Sequence, residues 1–129
     1  MLEKGTKLTK KCLEILPDET PVTIITDCNH PSVVNTWSHY IEIVDNKTML
    51  IPAAGMHSIQ NDLEKKDCQL ILTFGSHQKS GSTGPGRGYH VHATGEFVTS
   101  GKYFDNMKAK FPWIRAVLVI HVLDVEQKI

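Results

Sequence analysis

The chain lacks the features that announce most specialised classes of protein. It has no surplus charge: fourteen Lys and Arg balance fourteen Asp and Glu over 129 residues. Affinity for phosphate backbones grows from a Lys/Arg excess, so nothing points to nucleic acid. The local group Lys4, Lys7, Lys10 and Lys11 reads as the solvated face of a helix. No apolar run approaches the roughly 20 residues of a membrane helix, and Met1-Leu2-Glu3-Lys4 begins no signal peptide. The expectation is a soluble, cytoplasmic protein with no membrane association. Cysteine is scarce. Cys12, Cys28 and Cys68 are odd in number and form no CxxC pair, which argues against a disulfide framework and for a reducing compartment. No internal repeat, linker composition or boundary divides the chain, so residues 1–129 are expected to form one domain.

What is present is a succession of short β-prone segments. Thr6 can cap a helix over about residues 7–16, with Leu8, Cys12, Leu13 and Leu16 on one face. Residues 21–26 form a β-branched strand, closed by the turn-prone Asp27-Cys28-Asn29. A longer strand is predicted over 33–44. Asp45-Asn46-Lys47 turns it, and residues 48–52 pair back as a hairpin. A short helix over 58–66 and a strand over 69–74 follow. Residues 80–88 read as an ordered Gly-rich loop. Strands over 89–99 and 116–125 complete the chain, with a helix over 101–110 between them. The fold class is mainly β: a six-stranded antiparallel barrel with short helices at its rims.

Three segments carry chemistry. In Asn35-Thr36-Trp37, alternation puts Asn35 and Trp37 on one face of the strand and Thr36 on the other. Polar groups in mid-strand need partners, and a flat heteroaromatic ring offers them; an edge strand with one core tryptophan reads the same way. Gly55-Met56-His57-Ser58 is a strand-to-helix turn, where helix N–H groups and a hydroxyl attract phosphate or where Ser58 simply caps. The loop from Ser80 to Gly88 lacks the GK[ST] ending of a Walker A loop, yet Arg87 within it could reach a phosphate. A metal is the rival reading, because His90 and His92 share a strand face; no third ligand has a diagnostic spacing, so no metal site is assigned. No GxSxG motif supports a hydrolase.

Four separated motifs then occur together: NTW at 35–37, GMH at 55–57, GPG at 84–86, and FxWxRA at 111–116. In this combination the chain resembles the FMN-binding split-barrel family related to pyridoxamine 5'-phosphate oxidase, in particular its small FMN-binding members from sulfate-reducing bacteria. The resemblance runs from about residue 13 to the C-terminus. It implies a six-stranded split barrel, a homodimer, and one FMN per subunit in the cleft between chains. Asn35, Thr36 and Trp37 would line the flavin. Gly55, Met56, His57 and Ser58 would surround the ribityl phosphate, and Gly84 and Pro85 would close on the ring. Trp113 and Ile129 of the partner chain would cover the ring, and Glu19 would act on its electrostatics from across the dimer. Where the family usually carries lysine and threonine at the phosphate, this chain has Ser58-Ile59; His57, Lys79 or Arg87 would then have to replace the charge. The implied function is electron transfer or flavin-dependent redox chemistry. The alternatives are a pyridoxamine phosphate oxidase-like oxidoreductase, or a non-redox module binding flavin or metal.

Overall fold

The computed structural model describes residues 1–129, and its backbone is organised by one antiparallel sheet. Its strands are β1 (Lys4–Gly5), β2 (Pro21–Asp27), β3 (Val33–Trp37), β4 (Glu42–Asp45), β5 (Thr48–Ala53), β6 (Gln69–Ser80), β7 (Pro85–Val98) and β8 (Ala116–Gln127). The order across the sheet is β3-β2-β6-β7-β8-β5-β4, with β1 pairing on β8 beyond β5. The edge strands β3 and β4 are consecutive in the chain, so their facing ends lie within five Cα steps, at most roughly 19 Å. The sheet must therefore curl until its two edges approach, which makes a barrel open along one seam.

Eight strands replace the six read from the sequence, for two reasons. The strand expected over 33–44 is broken by a 3-10 turn at Ser38–Tyr40. Ser38 causes the break: its hydroxyl donates to the Leu16 carbonyl at 2.7 Å and accepts from the Thr20 N–H at 2.9 Å. Its own N–H donates to the Thr20 carbonyl at 2.8 Å, so a buried serine staples this corner to the preceding loop. The second addition is β1, invisible as a two-residue strand until β8 lies beside it.

The helices are shorter than the periodicity suggests. Residues 7–16 yield only α1 (Lys10–Leu13) and a 3-10 turn at Leu16–Asp18. The cap is Thr9, whose hydroxyl accepts from the Cys12 N–H at 3.2 Å, not Thr6. Leu8 cannot join the helix because its N–H donates to Asn46 O at 2.8 Å. The second helix, α2 (His57–Leu63), starts one residue earlier than expected, and α3 (Lys102–Lys110) follows Gly101 at φ 96°. The Gly-rich loop is mostly strand: β6 and β7 consume all of 80–88 except residues 81–84, where Gly81 N–H closes the turn on Gly84 O at 2.7 Å.

Alternation decides the interior. Val22 and Ile24 on β2, Leu70 and Leu72 on β6, and Val91 and Ala93 on β7 point inward with Leu118 and Ile120 of β8. A second apolar layer forms where α3 lays Met107 and its neighbours Phe104 and Phe111 on Leu50, Val117 and Val119. β5 and the first half of β8 are thus buried on both faces, which is why they read as unbroken apolar runs. No helix is long and apolar enough to cross a membrane.

Candidate functional site

β3 pairs with β2 alone, leaving its other edge free. Its exposure alternates as the sequence predicted: Thr36 is buried inward, while Asn35 and Trp37 face out, Trp37 with 49% of its surface open. Asn35 is held by its cross-strand neighbour Thr23, whose hydroxyl donates to Asn35 Oδ1 at 2.7 Å. Beside it lies a cleft of about 440 Å³ over β3, β2, β6 and β7, bordered by Asn35, Thr73, His90 and Ile129. Its floor is a pair of opposed glycines, Gly75 and Gly88. A Cβ at Gly75 would stand 2.9 Å from the Arg87 carbonyl oxygen, and one at Gly88 3.0 Å from Ile129 Cγ1. Gly75 has no room for a Cβ, and one at Gly88 would press on the Ile129 side chain, so backbone lines this part of the cleft. Such a surface suits a planar ring.

On the same strand, Val33 and Val34 form one wall of a second groove of about 300 Å³, and Met56, His57 and Ser58 form the other. Met56 sits in the left-handed region at φ 64° and caps α2 with no side-chain hydrogen bond. The first-turn N–H groups of α2 are thereby left without a side-chain partner. His57 and Ser58 are exposed at this turn. The groove is braced from behind by Asp62 of α2. Asp62 Oδ2 accepts from the hydroxyls of Ser32 and Thr26, each at 2.7 Å, tying α2 to the β2–β3 turn.

Those two hydroxyls, Ser32 first, hold the Asp62 carboxyl down to about 2, against an ordinary value near ~3.9. A carboxyl depressed on folding stabilises the fold fully above its unfolded pKa, and that contribution disappears as pH falls through the folded one. The expected result is that Asp62→Asn melts below wild type at neutral pH, and that the gap narrows between about pH 4 and pH 2. Thermal scans across that range check it; a gap independent of pH would remove the charge from the argument.

The charges proposed for the phosphate end fare unequally. Arg87 is buried and held on three acceptors: Nε donates to Ser80 O at 2.9 Å, and Nη1 to Lys11 O and Glu14 Oε1 at 2.9 and 2.8 Å. Lys79 is engaged too, its Nζ donating to both oxygens of Asp18 at 2.9 and 2.7 Å. Neither is free for an anion; of the three residues read from the sequence, His57 alone stands at the groove. The structure adds one that sequence reasoning did not single out. Arg115 Nη2 donates to the Gly55 carbonyl at 2.7 Å, its guanidinium lies 5.9 Å from the Phe97 ring centroid, and its Nε is buried without a partner. The available signal was its place in FxWxRA.

The remaining positions do not gather in one place. Ile129 borders the cleft of its own chain, tied down by its carbonyl accepting from Gly88 N–H at 3.1 Å and Gln127 Nε2 at 3.0 Å. Gly84 and Pro85 form the exposed tip of the β6–β7 hairpin and do not line the cleft. Trp113 is half exposed and packs its ring 5.4 Å from Tyr40 and 5.5 Å from Phe111. Glu19 is exposed, in the left-handed region at φ 55°. His90, at the cleft border, lies opposite Glu126 and His92 opposite Asp124, with ligand atoms of His92, Asp124 and Glu126 all within 4.8 Å of one another. The sequence showed the two histidines but not the carboxylates that sheet register sets against them.

A curled antiparallel sheet with a glycine-floored cleft beside its open seam is the split barrel of pyridoxamine 5'-phosphate oxidase-like proteins. Solved structures agree on that fold. A pyridoxamine 5'-phosphate oxidase-type protein of Lactobacillus delbrueckii superposes with TM-score 0.73 at 15% identity, covering 94% of each chain. An FMN-binding protein of Syntrophomonas wolfei superposes with TM-score 0.68 at 12% identity, covering 92% of this chain and 84% of its own. No family model matches the sequence. The FMN-binding protein of Nitratidesulfovibrio vulgaris (strain DSM 19637 / Miyazaki F) is 36% identical over 115 residues, 88% of this chain and 93% of its own. The chain belongs to the family of that FMN-binding protein.

Proposed function

We propose that this protein is a flavoprotein that binds FMN, with the isoalloxazine ring over the cleft beside Asn35 and the phosphate in the groove at Met56–Ser58. The cleft beside Asn35 carries this reading, because Gly75 and Gly88 stand opposite one another in its lining and add no side chain to it. The cleft of about 440 Å³ and the groove of about 300 Å³ fall in the usual range of ligand pockets, and β3 borders both. Asn35 presents an amide to the ring edge, Arg115 supplies positive charge at the phosphate end, and His57 offers a ring N–H there. FMN brings one- and two-electron redox chemistry. The protein's part is to orient it, exclude water and set the charge around it.

A homodimer fits the same surface. Val33 and Trp37 are 64% and 49% exposed on an unpaired strand edge, and Trp113 and Ile129 add further apolar surface. Native proteins rarely leave an apolar edge strand bare. A second copy would supply Trp113 as cover over the flavin, while Ile129 borders the ring site from its own chain. Electron transfer is the activity we assign to such a site.

The visible absorption spectrum of purified protein, followed by titration of the apoprotein with FMN, tests the cofactor. A colourless protein that leaves flavin fluorescence unchanged overturns the reading. Anaerobic titration with NADH, NADPH and reduced ferredoxin then identifies the donor, and failure of all three argues against electron transfer. Trp113→Ala and deletion of Ile129 are each expected to weaken FMN binding roughly tenfold by uncovering the ring. Lys65→Ala is the control, since its exposed side chain bonds only Asp62, at 3.2 Å. Equal effects at all three positions would speak against apolar cover.

A further inference from the structure

Cys28 and Cys68 belong to no part of the site described above. β2 and β6 are antiparallel neighbours whose last recorded pair is Asp27 opposite Gln69. One step further out, Cys28 and Cys68 continue that register. Their sulfurs lie 2.7 Å apart, although 40 residues separate them in sequence. A covalent S–S bond is about 2.05 Å long, so less than about 1 Å of movement closes it. The third cysteine, Cys12, is fully buried in the barrel core, away from this pair.

The two thiols are not equivalent. Cys28 opens on a surface cleft of about 440 Å³ whose rim carries His30, Lys65 and Lys66, with Asp27 and Asp67 beside them. Cys68 does not line that cleft. Burial, and then its contact with Cys28, push its thiol up to about 12, so it keeps its proton. A solute in the cleft meets Cys28 first, and Cys68 stands directly behind.

We propose that Cys28 and Cys68 form a reversible disulfide by exchange with a small oxidised disulfide of the glutathione class. The Cys28 thiolate, its proton given to water, attacks one sulfur of the small disulfide. That S–S bond breaks as the mixed disulfide on Cys28 forms, and one small thiolate leaves. Cys68 loses its proton to solvent and attacks the Cys28 sulfur, expelling the second small thiolate. The protein dithiol is oxidised by two electrons, the small disulfide is reduced to two thiols, and the two released protons go to them. The new bond ties the β2–β3 turn to the α2–β6 connection. These segments adjoin the two walls of the Val33–Ser58 groove, where the Asp62 hydrogen bonds already join them. Oxidation therefore stiffens the groove; this last consequence rests on the phosphate assignment above, whereas the cross-link does not.

The full-length protein, as purified, is incubated with excess reduced or oxidised glutathione and its thiols are counted after denaturation. The expected result is three thiols in the reduced sample and one in the oxidised, the chain lighter by two hydrogens. Peptide mapping should then join Cys28 to Cys68. Cys12→Ser should leave the cross-link intact, and Cys68→Ser should accumulate a mixed disulfide on Cys28. Closing a loop of this length should raise the melting temperature by roughly 5–15 °C. Three thiols persisting in oxidised glutathione, a bridge through Cys12, or a bridge only between chains would each overturn the proposal. FMN affinity identical in the reduced and the bridged protein would overturn the stiffening, and binding of FMN by both forms keeps that outcome separate from failure of the cofactor reading.

Discussion

Arg115→Ala is expected to weaken FMN binding roughly ten- to hundredfold while the protein stays folded. Hydrogen bonds to charged groups are worth about 1.5–3 kcal/mol, and every ~1.4 kcal/mol is tenfold in affinity. The guanidinium is preorganised: Nη2 is anchored on the Gly55 carbonyl at 2.7 Å and the plane rests near Phe97. The Gly55 anchor sets the guanidinium one residue before the Met56–Ser58 turn, where the phosphate is proposed to bind. Arg115→Lys keeps a charge but loses the fork, so its affinity should fall between wild type and alanine. Fluorescence-quenching titrations at low and high salt measure all three proteins. Equal affinities, or a loss indifferent to salt, would remove Arg115 from the phosphate end.

Leu72→Ala should have the largest effect on stability, a loss of about 2–5 kcal/mol and a fall in melting temperature of roughly 10 °C or more. Leu72 stands at the centre of the barrel, with Ile24 opposite it on β2 and Val91 opposite it on β7, all three with no exposed surface. Its neighbours are held in strands on both sides and cannot collapse into the space left. The cavity cost therefore adds to the lost apolar transfer. Flavin binding to the folded fraction should be unchanged, because Leu72 faces away from the cleft. Calorimetry with and without FMN separates the two; a destabilisation under about 1 kcal/mol would mean that this core repacks.

These two residues also mark the limits of legibility. Leu72 as a core residue could be read directly, since alternation along a strand is a property of neighbouring residues. The same alternation put Asn35 and Trp37 on one face and Thr36 on the other; only the fold decided that Thr36 is the one turned inward. The strand break at Ser38 could not be read, because its cause is two hydrogen bonds to Leu16 and Thr20, remote in sequence. The Gly-rich stretch misled for a related reason. Glycine content signals a loop, but Gly75 and Gly88 are there to let strands and a C-terminal side chain approach closely within a ladder.

By itself the sequence determined the mainly β fold, which residues of a strand share a face and the joint occurrence of NTW, GMH, GPG and FxWxRA. Period-two alternation and short turn chemistry act over a few residues, so they are written locally. Which charges remain available was decided only by the tertiary structure. Lys79 and Asp18 are 61 residues apart, Arg87 and Glu14 73, and each pair is joined by how the barrel closes. The same closure brings Arg115 to Gly55 across 60 residues and sets Cys28 against Cys68. An ion pair is made by proximity in space, and only the folded sheet supplies that proximity.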